Sequence, residues 1–290
     1  MYIDKQGNKW YKVGLHIHTT ESDGMATPEE AADIYSAAGF DAIAFTDHWK
    51  YHGNDTISGL KIISGCEYNL GSADSISGVM HILGVGMKKD PRISQQYTRQ
   101  EIIDAINVNG GIAILAHPAW SLNTIEDAKA LSGFTATEIY NTVSDVEQSS
   151  RPYSGHFVDA LANKGITYQL VATDDAHYYG GVDDTKSYIM INAENNSTEE
   201  ILSAIKNGSF YSSQGPELYV TKEENKIIVN CSKCVKIMFL SNVVWAPDKI
   251  IRGYDLTCAE YSLKDFEKWV RVEVVDEKGN YAWSNIISID

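Results

Sequence analysis

Residues 12–24 read KVGLHIHTTESDG. An apolar run ends in two histidines one residue apart, and polar residues, Asp23 and a glycine follow. Side chains alternate along an extended chain, so His16 and His18 share a face and aim two imidazoles at one point. What meets them there decides the fold, because the candidate partners sit at the ends of other apolar runs.

Outward from this strand, to about residue 210, strand-like and helix-like patterns alternate. Thr27-Pro28-Glu29-Glu30 is a helix start, with Thr as cap, Pro at the first helical position and Glu three residues after the cap. DAIAFTDH (41–48), KIISGCEY (61–68), VMHILGVG (79–86), IAILAHP (112–118), TEIYN (137–141), TYQLVATDD (167–175) and KSYIMINA (186–193) read as strands. Helices are expected over about 96–109, 124–131, 155–163 and 197–206. Apolar strands alternating with helices imply a largely parallel sheet covered by helices, and seven or so such units favour a barrel. After Gly215-Pro216 the texture turns to strands and hairpin signals, Glu277-Lys278-Gly279-Asn280 among them. Residues 1–215 are therefore expected to form an α/β barrel and 216–290 a small all-β domain.

The chain has 290 residues and a formal net charge of −15. That acidity disfavours polyanion partners, so no nucleic-acid polymer and no anionic membrane surface is expected. No apolar stretch approaches the ~20 residues of a membrane span. The N-terminus, MYIDKQGNKWYK, lacks an apolar signal-peptide core. Four cysteines in a chain this long do not form a disulfide framework, so a reducing cytoplasm is expected. Cys231-Ser232-Lys233-Cys234 is a lone CxxC whose cysteines would face opposite sides of a strand.

His16 and His18 end the first strand, Asp47-His48 the second and Glu67 the third; His81 lies in the fourth, His117 ends the fifth, and Asp175-Ala176-His177 ends TYQLVATDD. In a βα barrel such ends surround one mouth. Imidazoles mixed with carboxylates are the ligand set of Zn, Mn or Fe, and a carboxylate such as Glu67 is able to bridge two ions.

The ordered set His16-x-His18, Asp23, Thr46-Asp47-His48, Gly65-Cys66-Glu67, His81, Ala116-His117-Pro118 and Asp175-x-His177 resembles the PHP (polymerase and histidinol phosphatase) family. The likeness spans residues 12 to about 180. It implies a distorted (β/α)7 barrel and hydrolysis of phosphate esters with two or three divalent ions. Carried over residue by residue, it assigns His16, His18, Glu67 and Asp175 to one ion. Glu67, His81 and His117 go to a second, and Asp23, His48 and His177 to a third. Some members of the family have His where this chain has Asp23. The three carboxylates bring about −3 and three divalent ions about +6, which makes the site locally cationic inside an acidic protein. A metal-activated hydroxide is the expected nucleophile.

Beside the ligands, Asp47 is assigned a catalytic role as the group that orients a neighbouring imidazole. Arg151, in SSRPYSGHF, is the other catalytic candidate and would grip a phosphate bidentately, with a plain surface arginine as the alternative. Tyr140, Asn141 and Tyr178 are further substrate-binding candidates. The expected enzyme is a metal-dependent phosphoric ester hydrolase acting on a small phosphate monoester, such as a nucleotide or sugar phosphate. A phosphodiesterase on a cyclic or nucleotide diester is the alternative, as is a metal-stabilised binding protein acting through the β domain. That domain could also cover the mouth or make a homo-oligomer. Substrate choice is expected to rest on the loops 51–58 and 71–77.

Overall fold

The structure is a computed structural model and describes residues 1–4, 7–72, 74 and 78–289. Strand β1 (Tyr2–Ile3) pairs with β2 (Lys9–Gly14), and helix α1 (Pro28–Ala37) leads to β3 (Ala42–Ala44). The helix starts where the sequence places its signals. The Thr27 hydroxyl accepts from the Glu30 N–H, and the Glu30 carboxylate accepts from the Thr27 N–H. Each such cap is worth about 0.5–2 kcal/mol.

Strand β4 (Asp55–Ile57) is antiparallel to β5 (Leu60–Ile63), which lies parallel to β3 as β3 does to β2. KIISGCEY, expected as one strand, is two. The chain breaks at Ser64 and β6 (Gly65–Leu70) joins a different sheet. A Cβ at residue 65 would collide with the Phe45 carbonyl oxygen, so only glycine lets the crossing chain pass this close. The crossing carries Glu67 from one sheet to the other.

β6 pairs antiparallel with β7 (Met80–Val85). Helix α2 (Arg99–Val108), strand β8 (Ile112–Leu115), helix α3 (Ile125–Lys129), strand β9 (Phe134–Asn141), a π-helical turn (Ser144–Gln148), helix α4 (Gly155–Ala162) and strand β10 (Gln169–Thr173) follow. Strands β6 to β10 form a five-stranded sheet, parallel between β8, β9 and β10. Capping boxes open α2 at Thr98 and α3 at Thr124. Two isolated bridges link this sheet to the first, Ile17 with Ala176 and His48 with Glu67. Val13, Ala42 and Ile63 from one sheet pack with Leu83, Ile114 and Val171 from the other in a shared core.

Strand β11 (Tyr188–Asn192) pairs with β2, helix α5 (Thr198–Asn207) adds Ile201 and Ile205 to that core, and β12 (Phe210–Ser213) pairs with β11. The remaining strands are β13 (Leu218–Glu223), β14 (Lys226–Ser241), β15 (Ile250–Ser262), β16 (Trp269–Val275), β17 (Tyr281–Trp283) and β18 (Ile287–Ser288). The elements described after Pro216 are strands, and β16 and β17 form the hairpin around Gly279.

The molecule is thus a mixed α/β fold, but seven β/α units are not seen. Strands β5, β6 and β7 follow one another without a helix, and five α-helices occur among the described residues. Nor does the sheet break at residue 215. Strand β12 pairs with both β11 and β17, so one thirteen-stranded sheet runs from β2 into the C-terminal strands. Trp283, 1% exposed, stacks on Tyr140 with centroids 5.4 Å apart, within the core beneath the five-stranded sheet. Trp245, by contrast, is 78% exposed. Register shifts in β14 turn Cys231 and Cys234 together, with Sγ atoms 3.7 Å apart, where regular alternation would separate them. Within the two loops expected to select substrate, β4 and a bridge from His52 to Gly65 order the first. Ala73 and Ser75 to Ser77 of the second lie outside the described residues. Among the described residues, no helix is long and apolar enough to cross a membrane.

Candidate metal centre

The segments that leave β2, β3 and β10, together with β6, β7 and the end of β8, bring nine histidine and acidic side chains into three overlapping groups. These are His16, His18, Glu67 and Asp175; Glu67, His81 and His117; and His18, Asp23, His48 and His177. Beyond Gly14 the chain is no longer a regular strand, yet Ile17 bridges to Ala176, so His16 and His18 point together as their spacing implied. The glycine that ends the opening stretch has a reason too. A Cβ on Gly24 would collide with the His18 carbonyl, so the loop that carries Asp23 folds back directly over His18. The Tyr179 hydroxyl donates to that same carbonyl.

The first group has the dimensions of a cation site. His16 Nε2 lies 3.2 Å from His18 Nε2, 3.3 Å from Glu67 Oε2 and 3.0 Å from Asp175 Oδ1. His18 Nε2 lies 3.1 Å from Glu67 Oε2 and 3.2 Å from Asp175 Oδ1. Four ligands held tetrahedrally at roughly 2.0–2.1 Å would be about 3.3 Å apart. Asp175 Oδ1 and His48 Nδ1 are buried without a hydrogen bond of acceptable geometry, as expected of atoms that converge on a common centre. Glu67 is divided between groups. Its Oε2 faces His16, His18 and His48 Nδ1, the last at 3.1 Å. Its Oε1 is 2.9 Å from His81 Nδ1 and 3.4 Å from His117 Nε2. In the third group the oxygens of Asp23 lie 3.6 Å from His48 Nε2 and from His177 Nε2, and 3.3 Å from His18 Nδ1. These donors fit divalent cations.

Packing donors this closely is electrostatically costly without a cation. Burial opposes a charge on His16, but Asp175, Glu67 and Glu138 outweigh it and push its pKa up to about 10. His18 is raised well above the ordinary histidine value by the same balance, with Asp175, Asp23 and Glu67 prevailing over burial. Burial would raise Glu67 and Asp175, but the imidazoles hold both well below the carboxylate range. His48, where burial dominates, is lowered. Two donors also sit on left-handed backbone, His117 at φ 26° and Asp175 at φ 54°. Such conformations cost of order 1–3 kcal/mol and persist only where the surroundings impose them.

Among the described residues the Asp47 carboxylate makes no hydrogen bond to the nine donors, although its backbone carbonyl accepts from the Glu67 N–H at 3.4 Å. Its carboxylate accepts from the Thr19 N–H at 2.7 Å, the Thr19 hydroxyl at 2.8 Å and the Ser22 hydroxyl at 2.7 Å. It also meets His52 Nε2 at 2.6 Å. The imidazole it orients is thus His52, and its larger effect is to hold the loop before Asp23. Asn141 turns inward and donates to Glu138 and Asp175. Tyr140 turns the other way, its hydroxyl donating to Asp145 and its ring stacking on Trp283, which argues against the substrate contact expected of it. The β9–β10 register shift beside Tyr140 causes this split. Tyr178 is half-exposed next to His177, with ring centroids 6.4 Å apart. Arg151 is exposed after the π-helical turn, where its N–H donates to the Ser144 carbonyl. Among the described residues no hydrogen bond or ion pair ties its guanidinium to the donors. Asp174, beside Asp175, is buried against the Tyr35 hydroxyl, and burial pushes its pKa up to about 7.

Sequence reasoning missed Glu138 and Trp120. Glu138 is completely buried against His16, and its signal was an acid inside an apolar strand. Trp120 lies beside His117 and His81, with ring centroids 4.8 and 5.7 Å away, and carried no signal beyond its nearness to AHP.

No family model matches the chain. An uncharacterized protein of Methanocaldococcus jannaschii is 28% identical over 118 residues, which cover 37% of this chain and 67% of that one. Among solved structures, a two-domain protein from Bacteroides vulgatus containing a predicted PHP-like metal-dependent phosphoesterase aligns with a TM-score of 0.58 and 15% identity. The alignment covers 99% of this chain and 97% of that one. The lesion-specific endonuclease Q of Pyrococcus furiosus aligns at 0.44 and 14% identity over 69% of this chain and 56% of its own. Endonuclease Q in complex with a 27-mer duplex bearing an abasic lesion aligns at 0.46 and 15% identity, over 69% and 57%. The expectation that nucleic-acid polymers are excluded is corrected by this last pair, since one of these neighbours is seen with duplex DNA. Net charge describes the whole surface, and a site that gathers cations reverses the sign locally. The fold of this chain is PHP-like, as the ordered residues between 12 and 180 implied.

Proposed function

We propose that this protein is a metal-dependent phosphoesterase. The observation that carries the reading is the divided Glu67 carboxylate, with one oxygen facing His16 and His18 and the other facing His81 and His117. In this reading His16, His18, Glu67 and Asp175 hold one divalent ion, Glu67, His81 and His117 a second, and Asp23, His48 and His177 a third. Zn, Mn and Fe all suit such mixed sets. Bound there, divalent cations supply a water-derived nucleophile at neutral pH and positive charge for phosphoryl oxygens. The chain's own residues do the rest. Asp47 fixes the loop bearing Asp23, Asn141 steadies Asp175, and Arg151 and Tyr178 receive the phosphate and the group attached to it.

A small phosphate monoester is the substrate class we favour, with cyclic and nucleotide diesters as the alternative. The architecture proposed with it is a distorted barrel, closed where Ile17 meets Ala176 and His48 meets Glu67. Residues 1–215 serve as the catalytic unit and 216–290 as a β-rich unit braced against it. Cytoplasmic residence, argued from four unbridged cysteines, belongs to the same proposal. The test is turnover of a panel of mono- and diesters, DNA oligonucleotides included, with added Zn, Mn or Fe and metal content measured on the same sample. Metal-dependent phosphate release is expected. Full loading with no turnover of any ester would overturn the enzymatic reading.

A further inference from the structure

We propose that Glu138 is a positioning residue, which presents His16 and His117 to the metal centre and couples the two donor sets that share Glu67. The inference rests on the metal-centre reading above. Glu138 lies in β9 with no accessible surface. Four groups converge on its carboxylate, two N–H groups, one hydroxyl and one ring nitrogen of His16. Oε1 receives His16 Nδ1 at 2.7 Å and the Thr173 hydroxyl at 2.7 Å. Oε2 receives the His117 N–H at 2.7 Å and the Asn141 side-chain amide at 2.8 Å.

Each bond has a consequence at the donors. A carboxylate that only accepts requires the hydrogen on His16 Nδ1, and this leaves Nε2 as the free lone pair. Nε2 is the His16 atom that lies among His18, Glu67 and Asp175. The bond to the His117 N–H holds the peptide of a residue at φ 26°, where an ordinary side chain does not settle unaided. The bond to Asn141 passes onward, since the same amide donates to Asp175 Oδ2 at 3.1 Å. Glu138 and Asn141 are three residues apart, and strict alternation would send them to opposite faces. The register shift in the β9–β10 pairing lets both face inward.

One carboxylate thus contacts His16 and His117 and reaches Asp175 through one amide. These belong to the two sets that share Glu67. Among the described residues it makes no hydrogen bond or ion pair with a member of the set formed by Asp23, His48 and His177. A purely structural carboxylate would stabilise the fold and leave the three sets alike. A positioning carboxylate separates them.

Glu138→Gln keeps the shape but offers a single acceptor oxygen, so its amide must face two donors. Metal-free protein is titrated with zinc against a chromophoric chelator, and histidine 15N–1H spectra are recorded on the loaded form. We expect Glu138→Gln to bind zinc 10–100-fold more weakly at the two sets that share Glu67. His48 and His177 should keep their zinc-shifted resonances, and Glu138→Asp, which retains both acceptors, should recover part of the affinity. Equal affinity in wild type and Glu138→Gln, or equal weakening of all three sets, would overturn the proposal. Should Glu138→Gln not fold, the loaded wild type decides alone. A hydrogen on His16 Nδ1 supports the proposal and one on Nε2 overturns it. A wild type that takes up no zinc would instead sink the metal-centre reading itself.

Discussion

Arg271 should be among the most expensive residues to remove, although it lies in the C-terminal strands. It is fully buried in β16. Its Nε and Nη2 donate to the Asp159 carboxylate of α4 at 2.6 and 3.0 Å, and its Nη1 donates to Glu273. Nη2 also donates to the Tyr153 hydroxyl, which itself donates to Glu273. Arg271→Ala leaves Glu273 buried without its cation. Removing one partner of a buried pair costs about 3–5 kcal/mol, chiefly through the charge left behind. At roughly 2–3 °C per kcal/mol for a chain of this size, the melting temperature should fall by about 6–15 °C. The argument makes a second demand. If the stranded carboxylate is the cost, Arg271→Met combined with Glu273→Leu should recover about 2 kcal/mol or more over Arg271→Ala, because the buried Glu273 charge is then gone and the Asp159 carboxylate, 26% exposed, is left to water. Urea unfolding of the three proteins measures this. A loss below about 1 kcal/mol for Arg271→Ala would refute the reasoning, as would a double variant no more stable than the single one.

Four further outcomes follow from the same geometry. Apparent zinc affinity should rise with pH from the ordinary histidine value of 6.5 toward about 10, because cations must displace protons from His16 and its neighbours; calorimetric titration in several buffers reads this, and a flat profile counts against it. Glu67→Ala should lose metal at both sets it joins and lose turnover with it, and retained stoichiometry by elemental analysis would remove the bridging role. Arg151→Ala should raise KM for phosphate esters several-fold without changing metal content, whereas unchanged kinetics would return Arg151 to the surface. Truncation after residue 215 should abolish cooperative thermal unfolding, because it strips β12 of β17 and removes Trp283 from the core; a truncated chain that melts like the whole protein would show the two parts to be independent.

Truncation also marks where the sequence was least legible. Local signals carried the helices well. Thr27, Thr98 and Thr124 each open a helix with a capping box, and such chemistry is complete within four residues. The donors were legible for a related reason, since each is a reactive side chain at the end of an apolar run. Contacts between distant segments were not. Nothing within KIISGCEY announces that Ser64 is the point of exchange between sheets, because the obstacle is the Phe45 carbonyl, twenty residues earlier in the chain. Likewise Trp283 reads as a strand tryptophan of its own region, yet the surface it covers is Tyr140.

The register shift beside Tyr140 joins these observations into one argument. Read at period two, TEIYN presents Glu138 and Tyr140 on one face and Asn141 on the other. The shift moves Tyr140 out to Trp283 and leaves Glu138 and Asn141 facing the donors. The segment that returns past β9 holds it there. The Asn141 N–H donates to the Pro152 carbonyl at 3.0 Å, and the Ser154 N–H donates to the Ile139 carbonyl at 2.9 Å. Tyr153, between them, accepts a hydrogen bond from Arg271 Nη2 at 3.2 Å. The C-terminal strands therefore reach the metal centre without supplying a ligand. Arg271 secures Tyr153, the Tyr153 segment secures the shifted strand, and that strand carries the carboxylate that orients His16. If the chain of contacts is mechanical in this sense, Arg271→Ala should weaken zinc binding at the sets sharing Glu67 and spare Asp23, His48 and His177, the pattern expected of Glu138→Gln in milder form.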